Sequence, residues 1–132
     1  MTIIERVRNL ELPLDQLVVI CGGVLDALNL RKAGDVDLVL SPGLFSELSQ
    51  SPEWHLSTKH DEPILTRDDV EMFLSWGSEG VPNFTELYTD GMTVDGVKFA
   101  DPQFVIACKR QVLREKDKAD ILLLEEYLHR EK

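Results

Sequence analysis

The sequence is poor in positive charge. Fourteen Lys and Arg face twenty-four Asp and Glu, for a formal net charge of −10. The deficit is uneven: residues 1–104 hold seven basic and eighteen acidic side chains, whereas residues 105–132 hold seven and six. Counterion release on a polynucleotide needs clustered Lys and Arg, so a broad grip on DNA is excluded and long RNA is disfavoured, while a small anion at one local basic spot is not. No apolar run approaches the roughly 20 residues of a membrane span. Met1–Arg6 has none of the apolar stretch of a secretory signal, so a cytoplasmic setting is expected. Cysteine is scarce too: Cys21 and Cys108 lie far apart in apolar surroundings, which excludes a disulfide scaffold and a thiolate metal site and reads as two buried free thiols. There is no repeat, low-complexity stretch or linker. What remains is 132 residues, 43% of them apolar, enough for a single domain over 1–132 with one core.

Periodicity divides that domain into alternating elements. Ile3, Ile4, Val7 and Leu10 share a helical face, and Pro13 follows the helix. Leu17-Val18-Val19-Ile20-Cys21 is the continuous apolar run of a strand buried on both faces. Gly22-Gly23 turns the chain into a short helix over 24–30, and Val36–Leu40 is a second strand. Ser41-Pro42 pairs an N-cap with a first-turn proline and opens a helix to about Gln50. Residues 54–58 and 70–74 read as strands, 59–68 as polar turn, and 77–82 as irregular. Asp90-Gly91 and Asp95-Gly96 suggest turns, with a hairpin over 92–94 and 97–99. Asp101-Pro102 opens a helix carrying Phe104, Val105, Cys108, Val112 and Leu113, and a last helix runs from about Asp117. The expected fold is α+β, a small mixed β-sheet with flanking helices and two helices at the C-terminus.

The chemistry concentrates in residues 17–40. Strand alternation puts Asp35 and Asp37 on one face, with Val36 and Leu38 on the other. Two adjacent carboxylates raise each other's pKa unless a cation sits between them. Hard oxygen ligands of this kind suit Mg²⁺ or Mn²⁺. Glycines between a strand and a helix let backbone N–H groups approach an anion closely, so Gly22 and Gly23 are the candidate phosphate cradle. A phosphate cradle beside a metal-binding acid pair describes a nucleoside triphosphate with its metal. A third carboxylate would complete a two-metal site. Glu71, flanked by Val70 and Met72, is the first choice, and Asp69 on the same face is the second.

These residues resemble the nucleotidyltransferase superfamily of the DNA polymerase β type. Ile20-Cys21-Gly22-Gly23, then Asp35-Val36-Asp37-Leu38, then Val70-Glu71-Met72 follow its pattern of apolar–Gly–Gly, acid–apolar–acid and a later isolated acid. Arg31 and the tail Lys109…Arg114-Glu115-Lys116-Asp117…Asp120 are similar to small bacterial members, both antibiotic-modifying and minimal toxin–antitoxin types. The resemblance spans residues 17–128. It implies a nucleotidyltransferase-like fold and Mg²⁺-dependent transfer of a nucleoside monophosphate from ATP or another NTP to a hydroxyl acceptor: a small alcohol, a protein hydroxyl or an RNA end. Asp35, Asp37 and Glu71 would be the catalytic and metal-binding acids, Gly22 and Gly23 would hold phosphate, and Arg31 or Lys109 would neutralise charge. The sequence departs from the pattern at Val24, where the family often has Ser or Thr, and at Ala33, where Thr is frequent. Those departures support an alternative: a non-catalytic binding module within a toxin–antitoxin pair, with a protein partner or a homo-oligomer.

Plainer readings accompany each residue. Gly22-Gly23 also suits an ordinary strand-to-helix turn, and Asp35 and Asp37 a solvated strand edge. Lys109 and Lys116, seven apart, would share one helix face. The expectation is that Lys109 reaches phosphate with little effect on stability, while Lys116, Arg114, Asp117 and Asp120 form ion pairs at the helix junction. His55 and His60 fit no metal spacing and read as surface residues, and Trp54 and Trp76 as core or pocket wall. Haloacid-dehalogenase phosphatases place their Asp-x-Asp directly after an apolar strand, which Arg31-Lys32-Ala33-Gly34 contradicts; glycosyltransferases with such a pair are usually larger.

Overall fold

The computed structural model describes residues 1–59, 62–74 and 83–130. The expectations for His60, Trp76 and the 77–82 stretch fall outside them. The chain forms α1 (Ile3–Arg8), β1 (Leu17–Ile20), α2 (Gly22–Ala27), β2 (Val36–Leu40), α3 (Pro42–Ser49), β3 (His55–Lys59), β4 (Glu62–Arg67), β5 (Val70–Phe73), α4 (Phe84–Asp90), β6 (Met92–Val94), β7 (Val97–Phe99), α5 (Pro102–Val112) and α6 (Glu115–Arg130). The strands make one seven-stranded sheet in the order β3-β4-β5-β2-β1-β7-β6. It is mixed: β2 with β5 and β1 with β7 run parallel, and the other neighbours run antiparallel.

β1 lies inside the sheet between β2 and β7, and all four of its residues are fully buried, as its unbroken apolar run requires. Pairing with β2 sets Leu17 opposite Leu40 and Ile20 opposite Asp37. The caps act as their sequences imply. The Thr2 hydroxyl accepts from the Glu5 N–H while the Glu5 carboxylate accepts from the Thr2 N–H, a reciprocal capping box. Ser41 and Asp101 cap α3 and α5, each with proline in the first turn. The β6–β7 hairpin turns on Asp95 (φ 49°) and Gly96 (φ 82°), the double left-handed conformation of a tight hairpin.

Three sequence expectations are corrected. The turn expected over 59–68 contains β4, whose Ile64 and Leu65 are buried; pairing with strands on both sides overrides Pro63 and the terminal charges. Asp90-Gly91 is no hairpin turn but the end of α4, a helix capped by the Asn83 side chain accepting from the Glu86 N–H. Lys109 and Lys116 do not share a helix, because α5 ends at Leu113 in a left-handed conformation (φ 50°) before α6 begins.

α2 starts earlier than its apolar pattern suggests, with both glycines inside it. A side chain at Gly23 would put its Cβ 2.4 Å from Val19 Cγ1 and 3.3 Å from Ile3 Cγ1. Gly23 therefore lets α2 lie directly on β1. Gly23→Ala is expected to lower the unfolding free energy by about 1–3 kcal/mol, the usual effect of overpacking. Gly34→Ala, with nothing within 4 Å of its added Cβ, is the control, and urea unfolding of the two variants measures the difference.

Candidate functional site

The sheet register assembles the acids. Ile20, the last residue of β1, lies opposite Asp37, and Asp37 lies opposite Glu71 on the parallel neighbour β5. Thus one row across three strands carries the end of the Gly-Gly strand and two of the three candidate acids. Asp35 is exposed just before β2, and Asp37 and Glu71 are half-buried. Burial pushes the Asp37 carboxyl up to about 6 from the usual 3.8, and the Glu71 and Asp35 carboxylates add to the rise, while Lys59 and Lys109 oppose it. Asp69 stands apart. It sits in the β4–β5 turn, its Oδ2 2.5 Å from Arg6 Nη2, and the same guanidinium donates to the Ala33 and Gly34 carbonyls.

The turn after β1 is tighter than its glycines imply. Cys21 itself takes the left-handed φ of 59°, unusual for a residue with a side chain. Gly22 faces Arg31: an added Cβ would meet Arg31 Nη2 at 3.1 Å. Val24 is fully buried, so the position where a hydroxyl would be expected belongs to the core. Cys21 and Cys108 form no disulfide and are half-buried, and burial pushes the Cys21 thiol up, with Asp37 adding to the shift.

The two candidate phosphate-neutralising cations are drawn into an ion-pair network. Arg31 grips Asp120 with both arms, Nε to Oδ1 at 2.6 Å and Nη2 to Oδ2 at 2.7 Å. Lys109 Nζ lies 3.3 Å from Asp117 Oδ1 and 3.1 Å from Asp120 Oδ2. Arg114 donates to Asp117 from its guanidinium and its backbone N–H. Asp117 and Asp120 are 0% and 3% exposed. Burial alone would raise the Asp117 carboxyl; the Arg114 hydrogen bonds and the Lys109 ammonium outweigh it and hold the group at about 2. Asp120 is likewise lowered against burial by Arg31 and Lys109. The junction pairing expected of Lys116 falls to Lys109, and Lys109 is an enclosed side chain, 11% exposed.

Sequence reading missed Lys59, whose Nζ lies 3.2 Å from Glu71 Oε2; nothing in its polar neighbourhood marks it. It also missed Asp120 as the partner of Arg31, 89 residues away. Trp54 is buried beneath Arg67, whose guanidinium lies 4.2 Å from the ring centroid, and His55 is exposed. Among the described residues, no three His, Cys, Asp or Glu side chains are gathered closely enough to hold a metal ion. The donor chemistry of Asp35 and Asp37 nonetheless fits a hard dication, since a half-buried carboxylate raised by two like charges is relieved by one.

Comparison with known proteins identifies the architecture. No family model matches the chain, and no curated protein matches it in sequence. Among solved structures, the fold is similar to ANT(2")-Ia in complex with adenylyl-2"-tobramycin, at 16% identity and a TM-score of 0.59 over 96% of this chain and 86% of that one. It is also similar to an antigenic nucleotidyltransferase-like protein from Paracoccidioides brasiliensis, at 17% identity and a TM-score of 0.50 over 93% and 72% of the two chains. The chain has a nucleotidyltransferase-like fold. Among the described residues, no helix is long and apolar enough to cross a membrane.

Two outcomes are expected. Because the folded-state pKa of Asp37 is raised, the native chain holds its proton more tightly than the unfolded chain. That contribution is complete below pH 3.8 and lost as pH rises through about 6. In a chelating buffer Asp37→Asn should be more stable than wild type at pH 7.5, by about 1–3 kcal/mol, and equal to it near pH 4, as read by denaturant melts across pH. Lys109→Ala removes a cation shared by two buried carboxylates. It should lower stability by about 1–3 kcal/mol, less than the loss of a sole partner because Arg31 and Arg114 remain; thermal unfolding at neutral pH measures it.

Proposed function

We propose that the chain transfers a nucleoside monophosphate from an NTP to a hydroxyl acceptor with the help of Mg²⁺ or Mn²⁺. The observation that supports this reading is the row of Ile20, Asp37 and Glu71 across β1, β2 and β5 in a nucleotidyltransferase-like fold. Asp35 and Asp37 would hold the dication, which when bound supplies charge neutralisation to the triphosphate oxygens. Gly22 and Gly23 would offer N–H groups at the start of α2 to phosphate. Arg31, set over Gly22, would face the same anion while Asp120 fixes its plane, and Lys109 would contribute its charge from behind. In the reaction the acceptor oxygen bonds to the α-phosphorus, the bond to pyrophosphate breaks, and the acceptor's proton passes to the Glu71 carboxylate. Half-burial of Asp37 and Glu71 limits water at the reacting centre while exposed Asp35 leaves the metal an entry.

A second reading is favoured by one set of contacts: Val24 lies in the core, and Arg31 and Lys109 are each paired with buried aspartates. A site so occupied suits a non-catalytic module that binds a protein partner, as in a toxin–antitoxin pair. Calorimetric titration of ATP, GTP, CTP and UTP with Mg²⁺ separates the two. Under the catalytic reading at least one nucleotide binds, and Asp35→Asn with Asp37→Asn weakens it more than tenfold and abolishes pyrophosphate release. Absence of binding by all four would leave the module reading, which in turn requires partner binding to survive the same double substitution.

A further inference from the structure

Lys59 ends β3, one of the two edge strands of the sheet. It is the cation the fold brings directly onto a candidate metal ligand: its Nζ lies 3.2 Å from Glu71 Oε2, with 45% of the Lys59 side chain and 32% of that of Glu71 exposed. The other acid at this end of β5, Asp69, already has a partner in Arg6. The ammonium of Lys59 also acts on Asp37, pulling its carboxyl down against the rise caused by burial. Lys59 therefore bears on both acids of the Asp37–Glu71 pair.

A carboxylate neutralised by an ammonium is a poor ligand for a dication. The incoming ion must part the pair, and the displaced ammonium then repels it at close range. A lysine suits such a role because its charge is a compact point on a flexible stem, held here by one weak, half-exposed contact.

We infer that Lys59 is a built-in counter-cation that occupies Glu71 and tunes the divalent-metal affinity of the site, withholding Glu71 from the ion held by Asp35 and Asp37. This rests on the assignment of Asp35 and Asp37 as metal ligands. With Lys59 in place the nucleotide-free chain takes up metal weakly; without it, Glu71 joins the ligand set.

The test is titration of Mn²⁺ into the nucleotide-free chain, followed by loss of the free-ion electron paramagnetic resonance signal. Lys59→Met should bind Mn²⁺ about fivefold tighter than wild type, the effect of removing one unit charge a few ångströms away. Lys59→Arg keeps the charge and should bind as wild type does. Lys59→Met combined with Glu71→Gln should lose the gain. If Lys59→Met does not fold, Lys59→Gln supplies the neutral arm. A neutral Lys59 variant that melts lower but binds Mn²⁺ no tighter makes the pair a structural contact and overturns the inference. Asp37→Asn separates the two levels of the argument. If it binds Mn²⁺ as wild type does, the metal assignment itself fails; if it loses the ion while neutral Lys59 variants gain nothing, only the role of Lys59 fails.

Discussion

The antiparallel pairing of β1 with β2 is the constraint on which the rest depends. β1 is buried along its whole length and β2 at every residue but Asp37, so a one-residue slip would carry Asp37 to the face that Val36, Leu38 and Leu40 bury. That register carries two chemical features to one place. β1 ends where the chain turns into the glycine-bearing helix, and β2 begins where the acid pair stands. β5 then adds in parallel beside β2 and brings Glu71 level with Asp37. The candidate site thus follows from the demands of a hydrophobic core, with the acids placed at the sheet end where apolar pairing stops.

Two charge groups flank the glycine turn with opposite balance. On the sheet side Lys59 pairs with Glu71, and Lys59 and Lys109 only partly offset the burial and like charges that push Asp37 up in pKa. On the helix side two buried carboxylates face Arg31, Lys109 and Arg114, and both acids are pulled down. The first group is short of positive charge and suits a bound cation. The second is satisfied and ties α5 and α6 to the segment before β2. The same residue types therefore do different work in the two groups, and the difference lies in how many cations the fold supplies to each carboxylate.

Much of this was legible in the sequence. The strand of β1, the Asp-Val-Asp strand, the serine–proline and aspartate–proline helix starts and the Asp95-Gly96 turn are all local signals, and local signals survive into the fold. Glu71 was recognisable as an isolated acid between apolar strand residues. β4 and α4 were not legible, because Pro63 and the charges around it mimic a turn and Asn83 caps a helix that carries few apolar residues. The roles of Arg31 and Lys109 were read only in part, since their partners Asp117 and Asp120 lie across the fold and periodicity says nothing about which charges will meet. Lys59 reaches Glu71 across β4 only because β3 pairs with β4 and β4 with β5.

Arg6, in α1, ties together two segments that lead into the sheet. Its guanidinium gathers the Ala33 and Gly34 carbonyls just ahead of β2 and the Asp69 carboxylate just ahead of β5. Those are the two segments from which the acid-bearing strands depart, and Arg6 belongs to neither. The first helix of the chain, which packs beside α2, consequently serves as a clasp between the two strand entrances. Loss of that one guanidinium would loosen both strand entrances at once.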